Sequence, residues 1–237
     1  MKRLIEVPWD KRAIFISRPN RFLAICSDTE EGGELMVHVR DPGRLKELLY
    51  PGNTVLLKRA KGQTRKTHWD LVAAKASSGR WVLVNSGFHS AIATSILLDS
   101  QLSPFGKARK IQPEVRVGHS RLDFLIDIEN NEKIYMEVKG CTLVKEGTAL
   151  FPDAPTKRGR KHLLELLALR KKGYRACVMF LILCPGAGCF DANNQTDPLF
   201  YETFYHVIEQ GVEVYPVGLE YKDGFIWYIK EIAICSK

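Results

Sequence analysis

The chain reads as a mixed α/β protein in two parts, a small β-barrel over residues 1–85 and an α/β domain with a mixed sheet over residues 86–237. Three observations predict it. Short runs rich in β-branched and aromatic residues, punctuated by turn residues, fill the first third of the chain. Past Asn85 the texture changes to helical patterns alternating with strands. The segment from Arg175 to Leu183 is almost wholly hydrophobic, as expected of a central strand covered on both faces.

In order, strands are expected at Ala13–Ser17, Arg21–Ser27, Glu34–Val39, Thr54–Lys58, Trp69–Ala74 and Trp81–Val84. Asn20, Glu31-Gly32-Gly33, Pro51-Gly52-Asn53 and Ser77-Ser78-Gly79 break them apart. One brief helix fits at Arg44–Leu49, after Asp41-Pro42-Gly43. An oligonucleotide-binding barrel is the leading architecture for this set, with a small sandwich as the alternative. In the second part, Phe88–Leu98 reads as a helix. Three strands follow at about Gln112–Val117, Arg121–Glu129 and Ile134–Thr142. A helix runs from near Gly159 to Lys172, with Leu163, Leu166 and Leu167 on its buried side and Gly173 as its stop. The strand from Arg175, a helix at Leu199–Gln210 ended by Gly211, and a strand at Val212–Val217 complete the order.

With 237 residues and 45% hydrophobic content, a large core is available and disorder is disfavoured. Lys and Arg number 35 against 27 Asp and Glu, a formal charge of +8 that favours polyanionic partners without specifying any chemistry. No run approaches the roughly twenty apolar residues of a membrane helix. Met1-Lys2-Arg3-Leu4-Ile5-Glu6 has no apolar signal core behind it, so a cytoplasmic location is expected. Cys26, Cys141, Cys177, Cys184, Cys189 and Cys235 are dispersed, mostly inside apolar runs, and read as reduced thiols. Cys184 and Cys189 flank Pro-Gly-Ala-Gly, but no second pair has zinc-ligand spacing.

The candidate chemistry lies between Pro113 and Lys139. In Ile134-Tyr135-Met136-Glu137-Val138-Lys139, a period of two sends Ile134, Met136 and Val138 to a core and Tyr135, Glu137 and Lys139 to the other face. Leu122, Phe124, Ile126 and Ile128 alternate in the same way against Arg121, Asp123 and Asp127. Two carboxylates and an ammonium converging across adjacent strands suit metal-assisted phosphodiester hydrolysis. Mg²⁺ or Mn²⁺ needs only one or two carboxylates beside its waters. Asp123 and Glu137 are the expected metal ligands, with the Val138 carbonyl as a third. Lys139 is the group beside the nucleophilic water, and Glu114 an addition to the acidic cluster. The plain alternative is a surface ion pair between Glu137 and Lys139, with Asp123 paired to Arg121.

Lys157, Arg158, Lys161 and His162 open the second long helix, where cations oppose the helix dipole. A bound phosphate would explain their placement, a solvated helix end being the alternative. Arg158, Lys161, His162 and Glu165 are expected on one side, opposite the leucines. Asp153 either caps the entry to this helix or reaches the metal. A second basic group, Lys58, Arg59, Lys61, Arg65 and Lys66, falls in the long loop of the barrel; with Arg121 these are further nucleic-acid contacts. Trp69, Trp81 and Tyr50 are read as core rather than as base-stacking platforms.

Asn20-Arg21-Phe22-Leu23-Ala24, Asp41-Pro42-Gly43-Arg44-Leu45 with Glu47-Leu48-Leu49, Arg121-Leu122-Asp123-Phe124, Met136-Glu137-Val138-Lys139 and Phe151-Pro152-Asp153-Ala154, followed by Arg158-Gly159 and Lys161-His162-Leu163, together resemble the sugar fermentation stimulation protein A family. The resemblance implies an oligonucleotide-binding-like barrel followed by a restriction-endonuclease-like domain of the PD-(D/E)xK type. Asp123 then matches the first acid of that motif, and Glu137 and Lys139 its E-x-K. DNA as partner is implied too. The expected activity is divalent-metal-dependent DNA cleavage; the alternative is a non-enzymatic, sequence-nonspecific DNA-binding regulator of sugar (maltose) metabolism. His38-Val39-Arg40-Asp41 and Ser86-Gly87-Phe88-His89 depart from the family's usual residues, so no role is carried over to them.

Overall fold

The computed structural model describes residues 1–61, 65–118, 120–129 and 132–236. The chain opens with β1 (Lys2–Glu6). Five strands then close a barrel: β2 (Lys11–Asn20), β3 (Leu23–Asp28), β4 (Glu34–His38), β5 (Thr54–Arg59) and β6 (Trp69–Lys75). The order β4-β3-β2-β5-β6 is antiparallel throughout, and β6 returns to β4 in parallel through Val37↔Trp69 and His38↔Asp70. Period two fills the interior: Ala13 and Phe15, Ala24 and Cys26, Val55 and Leu57, Leu71 and Ala73 are all buried.

The helix expected at Arg44–Leu49 is instead a single turn, closed by Leu48 and Leu49 N–H groups donating to the Leu45 carbonyl. Leu45 has φ +50°, a left-handed conformation from which a right-handed helix cannot start. Arg18 of β2 fixes this segment by donating to the carbonyls of Arg21, Asp41, Gly43 and Arg44 at 2.6–2.9 Å.

β7 (Trp81–Leu83) leaves the barrel, and a 3₁₀ turn at Ser86–Phe88 leads into α1 (His89–Leu98). The second sheet comprises β8 (Ala108–Val117), β9 (Ser120–Ile128), β10 (Lys133–Cys141), β13 (Arg175–Ile182), β15 (Glu213–Lys222) and β16 (Phe225–Glu231). Its first three strands form an antiparallel meander, whereas β10, β13 and β15 are parallel. Tyr221 of β15 pairs with Trp81 of β7, so barrel and second sheet form one continuous hydrogen-bonded surface. β1 pairs with β16, not with the barrel.

The helices α2 (Lys157–Lys171) and α3 (Pro198–Glu209) cover one face of this sheet and α1 the other. β13 records the division. Cys177, Met179 and Leu181 face the α1 side, while Ala176, Val178, Phe180 and Ile182 join Leu163, Leu166, Phe200 and Phe204 beneath α2 and α3. Asp197 ties the two helix starts together, accepting from Phe200 N at 3.0 Å and Thr156 N at 2.8 Å. Gly173, at φ +90°, ends α2 as its residue type predicts.

A separate four-stranded sheet joins β11 (Val144–Lys145), β12 (Thr148–Phe151), β14 (Cys189–Ala192) and β17 (Ala233–Ile234). Parallel pairing of β14 with β17 brings the end of the chain alongside Cys189, which forms a disulfide with Cys235. Those two residues therefore correct the expectation of six reduced thiols; Cys26, Cys141, Cys177 and Cys184 are free. Among the described residues no helix is long and apolar enough to cross a membrane.

Two close approaches fix how the parts meet. At the first, an alanine Cβ placed on Gly140 would stand 2.3 Å from His89 Cε1, so the end of β10 needs glycine for α1 to dock. Burial, and then the charge of Lys139, push the His89 imidazole down to about 4 and leave it neutral near pH 7. At the second, Asp153 Oδ2 accepts from Leu45 N at 3.0 Å, bringing Asp153 beside Asp41 and Glu47 of the barrel. Burial raises Asp41 to about 6, and the neighbouring Asp153 charge adds to the rise.

Gly140→Ala is expected to cost about 1–3 kcal/mol by overpacking. In the background of His89→Ala the cost should shrink; equal costs in both backgrounds, by denaturant titration, would argue against this contact. For Asp41, the raised folded value means that stability is lost as pH rises from the ordinary 3.8 toward about 6. Asp41→Asn should therefore stabilise the protein at pH 8 by on the order of 1–2 kcal/mol, and by nothing measurable near pH 3.5. Urea denaturation at both pH values checks this, and a destabilised variant at pH 8 contradicts it.

Candidate active site

Glu137 lies in β10 between Met136 and Val138, which face the α1 side of the sheet. The strand period sends Glu137 and Lys139 the other way, under α2. Parallel pairing sets Glu137 beside Val178, a member of the α2–α3 core, and Glu137 is only 3% exposed. A carboxylate at that depth has to be paired. Lys139 Nζ and His162 Nδ1 of α2 both hydrogen-bond to its Oε1. Burial alone would raise this carboxyl; the His162 hydrogen bond and the Lys139 charge outweigh burial and hold it below the usual range. The other oxygen, Oε2, is enclosed and has no partner among the described residues.

Asp123 enters from β9. The β9–β10 ladder ends at Met136↔Phe124, and one residue further the Asp123 carboxylate takes over, Oδ2 accepting from Val138 N at 2.7 Å. The side chain is thereby anchored to the backbone directly beside Glu137. Burial raises its pKa and the Glu137 charge raises it further. Two mutually repelling carboxylates thus share a partly enclosed space with one ammonium.

His162 departs from its expected place. Helical periodicity puts it on the outward basic side of α2, but it is 4% exposed and turned onto Glu137. The reason is the carboxylate beneath: a helix packed over a buried charge must offer a polar donor there, even in the midst of Leu163 and Leu166. Arg158 Nε donates to His162 Nε2 at 3.4 Å. A guanidinium can only donate, so Nε2 is the bare nitrogen and Nδ1–H is the donor to Glu137. Lys139 Nζ, 3.1 Å from Nδ1, accordingly directs its own hydrogens to Glu137.

The remaining candidates are more dispersed. Glu114 and Arg121 pair with each other in the open at 3.2 Å, and neither hydrogen-bonds to Asp123, Glu137 or Lys139. Lys157, Arg158 and Lys161 are exposed along the start of α2, with Lys161 Nζ 3.8 Å from Glu165. In the barrel, Lys58 is paired with Asp10 at 2.7 Å and Arg65 is bidentate on Asp70, while Arg59 and Lys66 are exposed. Asp153 goes to the barrel junction; Thr156, not Asp153, caps α2. Trp69 and Trp81 pack against the core, whereas Tyr50 is exposed, contrary to its expected core position.

Among the described residues no three His, Cys, Asp or Glu side chains form a ready metal cage. The donor set nevertheless fits a hard cation that keeps most of its waters: an enclosed, unpartnered Glu137 Oε2 beside the Asp123 carboxylate.

Residues 16–84 match the SfsA N-terminal OB domain, and residues 87–224 match the Sugar fermentation stimulation protein RE domain. A Sugar fermentation stimulation protein homolog of Methanococcoides burtonii is 42% identical over 238 residues, covering 99% of this chain and 96% of that protein. Its counterpart in Methanothermobacter thermautotrophicus is 46% identical over 217 residues, covering 91% and 88%. Among solved structures, Pyrococcus furiosus SfsA in complex with Ca²⁺ superposes with a TM-score of 0.91 at 29% identity, covering 100% of both chains. Fold, domain matches and relatives agree, and the chain belongs to the sugar fermentation stimulation protein (SfsA) family.

Proposed function

We propose that this protein is a divalent-metal-dependent phosphodiester hydrolase acting on DNA in the cytoplasm, with its hydrolytic site in the part beyond Asn85. The observation that carries the proposal is the buried Glu137 carboxylate, with one oxygen committed to Lys139 and His162 and the other enclosed without a partner among the described residues, next to Asp123. Asp123 and Glu137 Oε2 would hold Mg²⁺ or Mn²⁺, with the Val138 carbonyl as a third donor. The Ca²⁺ complex of the Pyrococcus furiosus relative supports a hard divalent cation. When bound, such an ion lowers the pKa of water and neutralises phosphate oxygens.

The chain's own residues do the rest. Lys139 is held by Glu137 and only partly exposed, which fits it to orient the attacking water and to stabilise negative charge on phosphorus oxygens. Lys157, Arg158 and Lys161, exposed on the same helix that supplies His162, give phosphate contacts that position DNA without reading its sequence. Glu114 and Arg121 are assigned no catalytic step, because they pair with each other in the open and, among the described residues, neither hydrogen-bonds to Asp123, Glu137 or Lys139.

A second reading is a DNA-binding regulator without catalysis, favoured by the net charge of +8. The two are separated by one set of assays on linear, circular and branched DNA with Mn²⁺. The hydrolase reading expects cleavage that chelation abolishes and that Glu137→Ala or Asp123→Asn lowers by at least about 100-fold, with DNA binding retained. Cleavage at the same rate in wild type and Glu137→Ala, or none on any substrate, contradicts it. Salt-sensitive binding alone would then leave the regulator.

A further inference from the structure

We infer that Arg158 and His162 are positioning residues that orient Glu137 for metal binding, so that phosphate recognition at the helix surface and cation binding in the site are physically linked. The inference rests on the metal-binding reading above and extends it to a regulation of that site. Its basis is a directed chain of hydrogen bonds. Arg158 Nε donates to His162 Nε2, and His162 Nδ1 donates to Glu137 Oε1, to which Lys139 also donates.

Each link has a consequence. Because Arg158 can only donate, it selects the imidazole tautomer with the proton on Nδ1. That proton, together with Lys139, occupies Oε1 and fixes the carboxylate rotation. Oε2, enclosed and without a partner among the described residues, becomes the single oxygen offered to a cation. Outer partners of this kind commonly account for 10–100-fold in metal affinity.

At the other end, Arg158 is exposed while His162 is not. The Arg158 Nε–H is used inward, and the two terminal nitrogens of the planar guanidinium remain available for a bidentate contact with a phosphate. A DNA phosphate seated there would hold Arg158 in the orientation that holds His162, which in turn holds Glu137. Linkage then requires that a bound cation strengthen DNA binding by the same factor that DNA strengthens cation binding.

The sign of the effect separates positioning from plain electrostatics. Arg158 carries a positive charge near a cation site, so removing it should tighten cation binding if Coulomb forces alone operate. Positioning predicts the opposite.

Mn²⁺ affinity measured by titration calorimetry on the full chain, with circular dichroism as a check on folding, tests this. His162→Leu, which fills the space without a donor, is expected to bind Mn²⁺ at least about 10-fold more weakly. His162→Asn, whose amide N–H sits where Nδ1–H was, should stay within about three-fold of wild type. Arg158→Met, a surface change that leaves the core untouched, should weaken binding by a few-fold and abolish the gain in Mn²⁺ affinity that a short duplex gives the wild type. His162→Leu equal to wild type, or Arg158→Met binding Mn²⁺ as tightly or more tightly, overturns the inference while leaving the metal site standing. Should His162→Leu not fold, Arg158→Met decides alone. A wild type that binds no Mn²⁺ overturns both readings.

Discussion

A carboxylate buried inside a protein has to be answered by charge and hydrogen bonds, and Glu137 is where this molecule meets that requirement. Its depth follows from strand geometry: β10 lies between β9 and β13, and the face that carries Glu137 is roofed by α2. Lys139 answers from the same strand face and His162 from the helix above. Removing either donor would leave a buried anion with too little support. The seating of α2 on the sheet is therefore tied to the electrostatics of the site, and the cations on the exposed side of α2 are placed relative to it.

The two halves of the molecule are joined by backbone as well as by side chains. β7 and β15 make the barrel and the second sheet hydrogen-bond neighbours, and β1 is taken up by β16. At the same border Asp153 accepts from the backbone of Leu45, and Arg18 fastens the barrel segment that contains it. Asp41, Glu47 and Asp153 stand close enough there to raise the pKa values of Asp41 and Glu47, in each case after burial as the larger cause. An acidic border of this sort resists close approach at high pH, and the carbonyl contacts of Arg18 oppose that tendency.

Much of this was legible in the residues. Period-two alternation in Ile134–Lys139 separated the core-facing positions from Glu137 and Lys139, and the apolar run after Arg175 marked a strand covered on both sides. The family resemblance anticipated the barrel and the membership that the domain matches bear out. What was not legible depends on contacts distant in sequence. Helical periodicity places His162 on the polar side of α2, because it cannot separate a solvated histidine from one serving a buried anion. The pairing of β1 with β16 joins the two ends of the chain, and Cys189 and Cys235 are 46 residues apart, so neither local propensity nor spacing reveals them. Around Leu45 the helical residue types were overruled by a left-handed backbone imposed by the Arg18 and Asp153 contacts. Strand order places Glu114 among the acids, whereas in the structure it forms an exposed ion pair with Arg121 of β9.

The proposed function requires the enclosed Glu137 Oε2 and the Asp123 carboxylate to form one cation-binding point. Anomalous diffraction from crystals soaked in Mn²⁺ tests it most directly, because the signal locates the ion without reference to activity. A single strong peak is expected within coordination distance of both carboxylates, lost in Glu137→Ala. A peak at the Asp41, Glu47 and Asp153 border instead, or none near Glu137, would contradict it.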